Sequence, residues 1–145
     1  MLKGLDPLLS PDLLQALRAM GHGDTLAIVD ANYPAEGSGL PVIRLDGVSA
    51  TEALGAILSV LPLDTFVPEA AWRMEVVDHP DQEEPIFGEF RSLIKSHEGE
   101  SFSLGRLERY EFYARAAECF ALVATGERRL YGNIILKKGV IRSTD

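Results

Sequence analysis

Hydrophobic and polar positions follow two periods along the chain, and each period predicts a different kind of element. Leucines between residues 11 and 20 recur on one helix face, with Ser10 suited to the N-cap and Gly21 to the helix end. Residues 26–29, after Thr25, are continuously apolar, as in a strand buried on both faces of a sheet. The same reasoning predicts, in order, a strand at 42–45, a helix at 50–61 with a Ser49/Glu52 capping box, a strand at 70–77, a helix at 87–97, a strand at 102–107, a helix at 110–119, and strands at 120–124 and 130–136.

Helices and strands alternate through most of this order, which is typical of an α/β domain with a parallel sheet. Residues 125–129 form a short connection between the last two strands, and a connection of that length favours a hairpin. We therefore predict one α/β domain over residues 1–145, with a mainly parallel sheet and an antiparallel C-terminal hairpin.

Composition narrows the classes of function. Apolar residues make up 46% of the 145 positions, which excludes a disordered chain, and no apolar run approaches the roughly 18–20 residues that span a bilayer. Lys3 is followed by Asp6 and Asp12, so the N-terminus does not resemble a signal peptide, and we expect a cytoplasmic protein without a membrane partner. The formal charge of −8 and the lack of a Lys/Arg run argue against nucleic acid as a partner.

Metal and nucleotide sites are not indicated by the sequence. Cys119 is the only cysteine, and its apolar neighbours favour a buried thiol. His22, His79 and His97 are far apart, and no two of them stand at helical i, i+4 spacing, so no metal site is expected. Neither a GxGxxG motif nor a Walker loop occurs, which removes the commonest nucleotide-binding interpretations.

His22 and Asp30 are the first candidates for chemistry. Glycines on both sides of His22 allow turned backbone conformations, so the imidazole is expected on a loop after the first helix. Asp30 follows the first strand, and ligands bind at the carboxyl ends of strands in open α/β sheets. Both residues also fit structural roles, His22 as a donor to the end of a helix and Asp30 as the cap of a turn.

Arg109 and the segment Tyr131-Gly132-Asn133 form a second group of candidates. Arg109 precedes a predicted helix, where a cation opposes the helix dipole, and a ligand would explain that position. Tyr131 and Asn133 would share one face of the predicted last strand, and Gly132 would let a ligand come close. These groups suit the hydroxyls of a sugar, although Arg109 also fits a surface position and the segment also fits an ordinary strand.

Several blocks of the chain resemble the RbsD/FucU family of sugar mutarotases. They are Ser10-Pro11-Asp12-Leu13-Leu14, Met20-Gly21-His22-Gly23-Asp24, Asp30-Ala31 with Pro34, residues 109–116 (RYEFYARA), residues 120–127 (FALVATGE) and residues 131–140 (YGNIILKKGV). The blocks follow one another in register over nearly the whole chain, and residues 62–100 match least.

The resemblance implies an RbsD-like three-layer sandwich and an isomerase that interconverts sugar anomers without cofactor or metal. It also implies a ring-shaped homodecamer with sites at subunit contacts. By resemblance, His22 is the active-site histidine, Asp30 a sugar-binding carboxylate, and residues 131–133 the sugar-binding strand. Arg109 and the Tyr-Gly-Asn form of that strand favour the L-fucose branch of the family over the D-ribose branch.

Mutarotation fits these residue types. The reaction needs one proton placed on the ring oxygen and one taken from the anomeric hydroxyl, and an imidazole, with an ordinary pKa near 6.5, can serve either step. His22 is the candidate for this role, and Tyr131 is a candidate for the second proton relay. Tyr113 suits the site and helix packing equally well.

The spacing of the two main candidates bears on the oligomer. His22 and Asp30 are eight steps apart, which is up to about 26 Å in an extended chain and too far for one monosaccharide. Either the glycines fold His22 back towards the strand end or a neighbouring chain completes the pocket, and we favour the second. A D-ribose pyranase and a non-enzymatic sugar-binding accessory protein of an uptake system remain alternative functions.

Overall fold

The computed structural model describes residues 1–144, in which helices and strands alternate. That range contains four α-helices, α1 (Pro11–Ala19), α2 (Ala50–Leu58), α3 (Pro85–Glu98) and α4 (Arg109–Ala116), and a 3₁₀ turn at Glu36–Ser38. Its six strands are β1 (Thr25–Val29), β2 (Val42–Leu45), β3 (Ala71–Met74), β4 (Gly105–Leu107), β5 (Ala121–Thr125) and β6 (Ile134–Lys137). The α/β class predicted from the sequence is confirmed.

Local sequence accounts for the start of the first two helices. Ser10 accepts a hydrogen bond from the Leu13 N–H at 3.3 Å, and Pro11 occupies the first helical position, where its missing N–H costs nothing. At α2 the predicted capping box is present, since Ser49 and Glu52 each accept a hydrogen bond from the other's backbone N–H.

The strands form one mixed sheet in the order β2-β5-β1-β6-β3-β4. β1 pairs in parallel with β5, β5 with β2, and β3 with β4. β6 runs antiparallel to both of its neighbours, β1 and β3. Among the strands of residues 1–144, β6 is therefore the only one that opposes the common direction, and the prediction of a mainly parallel sheet is confirmed.

The predicted C-terminal hairpin is wrong, because β5 and β6 do not pair with each other. β1 lies between them and uses both of its edges, one for β5 and one for β6. A central strand has backbone hydrogen-bonding groups on both edges, and burial requires partners for all of them. The connection between β5 and β6, residues 126–133 in the structure, thus crosses the end of β1 instead of closing a turn between neighbours.

The last strand is also shorter than predicted, since it begins at Ile134 and not at residue 130. Tyr131 has a φ of 62°, which lies outside the extended region that a strand requires. The segment Tyr131-Gly132-Asn133 is therefore a turn and loop before β6, and the prediction that Tyr131 and Asn133 share a strand face is wrong.

Two apolar clusters cover opposite faces of the sheet. Along β1, Leu26 and Ile28 belong to the cluster that contains α1, α2 and α3, whereas Ala27 and Val29 belong to the cluster that contains Phe112 of α4. This alternation explains why β1 is apolar at successive positions. The result is a helix–sheet–helix arrangement of three layers, and no helix within residues 1–144 combines the length and apolar character needed to cross a membrane.

The strand directions define two edges of the sheet. The ends of the five parallel strands and the start of the antiparallel β6 meet at one edge, which we call the carboxyl edge. The opposite edge, which we call the amino edge, carries the residues before β1 and β3 and the end of β6. The candidate residues divide between these two edges.

Candidate functional site

A pocket of about 220 Å³ lies at the carboxyl edge, between the ends of β1, β3 and β4 and the start of β6. We call it the carboxyl-edge pocket. Its volume is below the roughly 300–1,000 Å³ of pockets that hold drug-sized ligands, so it suits a smaller molecule. It is lined by Asp30, Asn32, Tyr33, Met74, Val77, Arg109, Tyr113, Leu130, Tyr131 and Asn133. Four residues predicted from the sequence, Asp30, Arg109, Tyr131 and Asn133, therefore come together here.

Asp30 and Asn133 fix each other in this pocket, and both are nearly buried. The Asp30 N–H donates to Asn133 Oδ1 at 2.8 Å, and Asn133 Nδ2 donates to Asp30 Oδ2 at 3.1 Å. The Asn32 N–H donates to Asp30 Oδ1 at 2.9 Å. Burial raises the pKa of the Asp30 carboxyl, and these donors partly oppose the rise. The carboxylate is thus held by several donors at the wall of the pocket that it lines.

The segment after β5 braces the strand end that carries Asp30. The Thr125 hydroxyl donates to the Val29 carbonyl at 2.7 Å, and the Ala31 N–H donates to the Glu127 carbonyl at 2.9 Å. The backbone on both sides of Asp30 is thus tied to a neighbouring element before any ligand binds, which preorganises the carboxylate.

Tyr131 has a strained backbone and a fixed side chain. Its positive φ costs of the order of 1–3 kcal/mol for a residue other than glycine, and such strain is concentrated at functional sites. Its hydroxyl oxygen accepts a hydrogen bond from the Val77 N–H at 3.1 Å. The phenol O–H is consequently available to donate to a ligand in the carboxyl-edge pocket.

Gly132 lies behind the pocket wall and is not part of its lining. A Cβ at this position would stand 2.7 Å from Glu127 Cγ and 3.2 Å from Ile86 Cδ1, so the glycine is required by packing. Its backbone N–H is one of the donors that lower the pKa of Asp30. Direct sugar binding by Gly132 remains a prediction, whereas its contact with Asp30 gives it a positioning role.

Arg109 begins α4, as predicted. The N-cap residue Glu108 accepts hydrogen bonds from the Tyr110 and Glu111 N–H groups and places a negative charge where the helix dipole favours one. Arg109 Nη2 donates to the Tyr110 hydroxyl at 2.9 Å, and the guanidinium lies 4.6 Å from the centre of that ring. Within residues 1–144, Arg109 Nε is shielded from solvent and has no hydrogen-bond partner, so a ligand hydroxyl would satisfy it.

Tyr33 and Tyr113 add two phenols to the pocket, with ring centres 5.5 Å apart. Burial, and to a smaller degree the neighbouring Tyr113, raises the pKa of Tyr33, so its hydroxyl stays protonated and can donate. The residue pattern left the role of Tyr113 open and did not single out Tyr33 or Asn32 as site residues. Their position in the loop directly after β1 was the available signal, because such loops carry binding residues.

His22 lies at the amino edge and does not line the carboxyl-edge pocket. Its side chain is 44% exposed, as expected for a loop, and its Nε2 lies 3.0 Å from Asp64 Oδ1. β1 alone separates the two edges by about 13 Å, at about 3.3 Å per residue from Thr25 to Val29. The alternative that the glycines fold His22 back to Asp30 within one chain is therefore wrong.

Asp64 orients His22 and was missed from the sequence. Its side chain is 2% exposed, and its Oδ1 also accepts from the Phe66 N–H at 3.0 Å. Burial raises the pKa of Asp64, but the Phe66 and His22 hydrogen bonds and the charges of His22 and Lys137 outweigh it, so the net pKa is lowered. An ionised carboxylate only accepts, so the N–H at His22 Nε2 donates to Asp64 Oδ1.

Lys138, directly after β6, holds the loop that carries His22. The Gly23 N–H donates to the Lys138 carbonyl and the Lys138 N–H donates to the Asp24 carbonyl, each at 2.9 Å. The Lys138 ammonium donates to the Leu17 carbonyl at 2.7 Å and so caps the end of α1. Gly23 has a φ of 87°, which confirms the need for glycine next to the histidine.

Exposed apolar residues flank both groups of candidate residues. Phe66 is 65% exposed, and its ring centre lies 5.2 Å from that of His22. Tyr110 and Leu130, beside the carboxyl-edge pocket, are 66% and 65% exposed. Among residues 1–144, no group of three or more His, Cys, Asp or Glu side chains lies where it could hold a metal ion. The candidate residues therefore offer hydrogen-bonding groups, one imidazole and flanking apolar side chains.

Comparison with known proteins relates this arrangement to a family. Residues 3–141 match the model of the RbsD / FucU transport protein family. The Homo sapiens protein named fucose mutarotase is 45% identical over 146 residues, which cover 97% of this chain and 94% of the human one. The structure of FucU from Bifidobacterium longum matches with a TM-score of 0.91 at 43% identity, covering 97% of this chain and 100% of that one. The structure of the fucose mutarotase from Streptococcus pneumoniae in complex with L-fucose matches with a TM-score of 0.90, the same identity and the same coverage.

Proposed function

This chain belongs to the RbsD/FucU family, and from that premise we propose that it interconverts the α and β anomers of a monosaccharide, with L-fucose as its substrate. The observation that carries the proposal is the carboxyl-edge pocket, where a carboxylate, carboxamides, phenols and a guanidinium converge in a volume suited to a small ligand. The preference for L-fucose rests on the names of the similar proteins and on the L-fucose bound to the Streptococcus pneumoniae structure.

The reaction is general acid–base catalysis of ring opening. A proton is placed on the ring oxygen, one is taken from the anomeric hydroxyl, and closure on either face of the resulting carbonyl gives either anomer. His22 transfers one of these protons, and Tyr131 serves as the second relay. A positioned acid–base group contributes about 10²–10⁴ in rate, and free sugars already mutarotate slowly, so no nucleophile is needed.

His22 reaches the sugar from a neighbouring subunit. None of the residues that line the carboxyl-edge pocket is a histidine, and His22 lies with Asp64 at the opposite edge of the sheet. Joining the amino edge of one subunit to the carboxyl edge of the next supplies each pocket with an imidazole. The contact would also cover Phe66 on one side and Tyr110 with Leu130 on the other, whose exposure is otherwise unfavourable.

Such an interface is heterologous, because two different surfaces of the same chain meet, and heterologous contacts form a ring when the rotation between subunits closes. The homodecamer implied by the family resemblance is the closed form that we propose. We also propose a cytoplasmic location, since the single cysteine is a buried free thiol and the fold does not rely on a disulfide.

Anomer exchange measured by saturation-transfer NMR tests the function. Wild type, His22→Ala and the control His97→Ala, whose histidine is exposed at the end of α3, are compared with L-fucose and D-ribose. We expect faster exchange of L-fucose in wild type and in the control, and its loss in His22→Ala. Acceleration of D-ribose alone would instead identify a pyranase, and sugar binding without exchange would identify an accessory binding protein.

A further inference from the structure

The lining of the carboxyl-edge pocket is not uniformly polar. Three of its members, Met74, Val77 and Leu130, offer only apolar side-chain atoms or a thioether, and we call them the apolar group. Leu130 and Val77 are both next to Tyr131, because Leu130 precedes it in sequence and the Val77 N–H donates to its hydroxyl. Met74 ends β3, three residues before Val77.

Val77 is held in position before a ligand binds. It lies in a tight turn closed by the His79 N–H, which donates to the Val76 carbonyl at 3.0 Å, and Asp78 in that turn has a φ of 66°. The hydrogen bond from the Val77 N–H to the Tyr131 hydroxyl, at 3.1 Å, joins this turn to the segment before β6. Arg106 donates to the Pro80 carbonyl at 2.7 Å and holds the chain that follows. A contact made by Val77 is thus preorganised.

The substituents of a sugar ring decide what such a group can recognise. The ring of L-fucose carries hydroxyls at every position open to substitution except C5, which carries a methyl group. A pentopyranose has only hydrogens at C5, and the corresponding hexose has a hydroxymethyl group there. One apolar substituent on the ligand and one apolar group in an otherwise polar pocket are complementary, because each would leave water on binding.

We propose that Val77, with Met74 and Leu130, forms a subsite for the C5 methyl group and thereby selects a 6-deoxyhexose over pentoses and ordinary hexoses. This inference rests on the proposed function and specifies which part of the substrate the pocket discriminates. It leaves the polar residues to bind hydroxyls, which all three classes of sugar share.

The first test needs no variant. Values of kcat/KM for anomer exchange by wild type are compared for L-fucose, for D-arabinose, whose pyranose ring is that of L-fucose without the methyl group, and for L-galactose, which bears a hydroxyl on that methyl carbon. A lost methyl group in an apolar pocket is worth about 10-fold or more, so D-arabinose should be at least that much poorer. L-galactose should be poorer by up to about 100-fold.

The second test measures whether a substitution at Val77 changes the selectivity for L-fucose over D-arabinose. Val77→Ala removes two methyl groups, and at about fourfold per buried carbon it should lower the L-fucose to D-arabinose ratio by roughly 4- to 16-fold while D-arabinose itself changes little. Val76→Ala is the matched control, because Val76 is the adjacent valine but is buried in the core cluster. That control should keep the wild-type ratio, whatever it loses in stability.

Val77→Thr is the isosteric variant for the case in which Val77→Ala folds poorly. It exchanges a methyl group for a hydroxyl at constant shape and should raise the L-galactose to L-fucose ratio. Equal rates for L-fucose and D-arabinose in wild type, or equal losses for both sugars in Val77→Ala, would overturn the methyl subsite and leave the proposed function intact. No acceleration of any of the three sugars would instead overturn the proposed function.

Discussion

Mixed oligomers provide the sharpest test of the arrangement proposed for the active site. His22 and the carboxyl-edge pocket lie at opposite edges of the sheet in each chain. The length of β1, about 13 Å, separates them. If each site takes its histidine from the neighbouring subunit, a His22→Ala chain still contributes a native pocket. An Asp30→Asn chain still contributes a native histidine. Two impaired variants should therefore recover activity when they assemble together.

The expected recovery follows from counting interfaces in a randomly assembled ring. In an equal mixture, half of the pockets come from His22→Ala chains and are native, and half of those face a neighbour with native His22. About one quarter of all sites are then intact, and the mixture should show about a quarter of wild-type activity. His22→Ala alone should lose about 10²–10⁴ in rate, and Asp30→Asn about 10- to 100-fold through a charge-assisted hydrogen bond to the sugar.

The assay is anomer exchange of L-fucose by co-expressed variants that carry different affinity tags and are purified through both. The separate variants, mixed only after assembly, are the matched control, because they hold the same chains without shared interfaces. Activity no higher than the mean of the separate variants would refute the shared site. A monomer with full activity in sedimentation would refute it as well.

Two further predictions concern the carboxylate and a packed glycine. Because burial raises the pKa of Asp30 above 3.8 and sugar binding uses the ionised form, KM for L-fucose should rise as pH falls towards that pKa. The stability of the fold changes with pH in the opposite direction. Because the pKa of Asp30 is raised in the folded state, its contribution to the free energy of unfolding is present below pH 3.8 and is lost as pH rises through the folded pKa. Gly126→Ala would bring a Cβ to 1.9 Å from the Asp46 carbonyl oxygen and should lower the free energy of unfolding by about 1–3 kcal/mol in a denaturant titration. Gly37→Ala, which meets no atom within 4 Å, is the matched control and should be nearly neutral.

Each of these predictions has a clear contrary result. A KM that does not change with pH down to pH 4, or one that changes equally in Asp30→Asn, would show that the Asp30 carboxylate does not bind the sugar in its ionised form. Equal stability of Gly126→Ala and Gly37→Ala would show that the close approach to Asp46 relaxes without cost.

Much of the secondary structure was predictable because its causes are local. The Ser49/Glu52 capping box and the Ser10-Pro11 helix start depend on residues within four positions of one another, and both are present. The burial of β1 on both faces was likewise evident from its continuous apolar run. Asp30 was identifiable as a site candidate for the same reason, since it directly follows that strand.

Pairing and side-chain contacts between distant segments were not predictable from local pattern. A short connection between β5 and β6 is compatible with a hairpin or with a crossing over β1, and only the positions of all six strands within residues 1–144 decide between them. The positive φ of Tyr131 occurs in the turn before β6, and the residues next to it in sequence do not predict it.

The sequence by itself indicated most of the candidate residues and the elements that carry them, because helix caps, apolar periodicity and motif blocks are properties of adjacent positions. Only the tertiary structure decided how they are grouped. The ends of the parallel strands β1 and β4 and the start of the antiparallel β6 bring Asp30, Arg109 and Asn133 to one edge of the sheet, whereas the length of β1 keeps His22 at the other edge, paired with Asp64 across 42 residues. Distances across a sheet depend on strand order and direction, and these are set by hydrogen bonds between segments far apart in the chain.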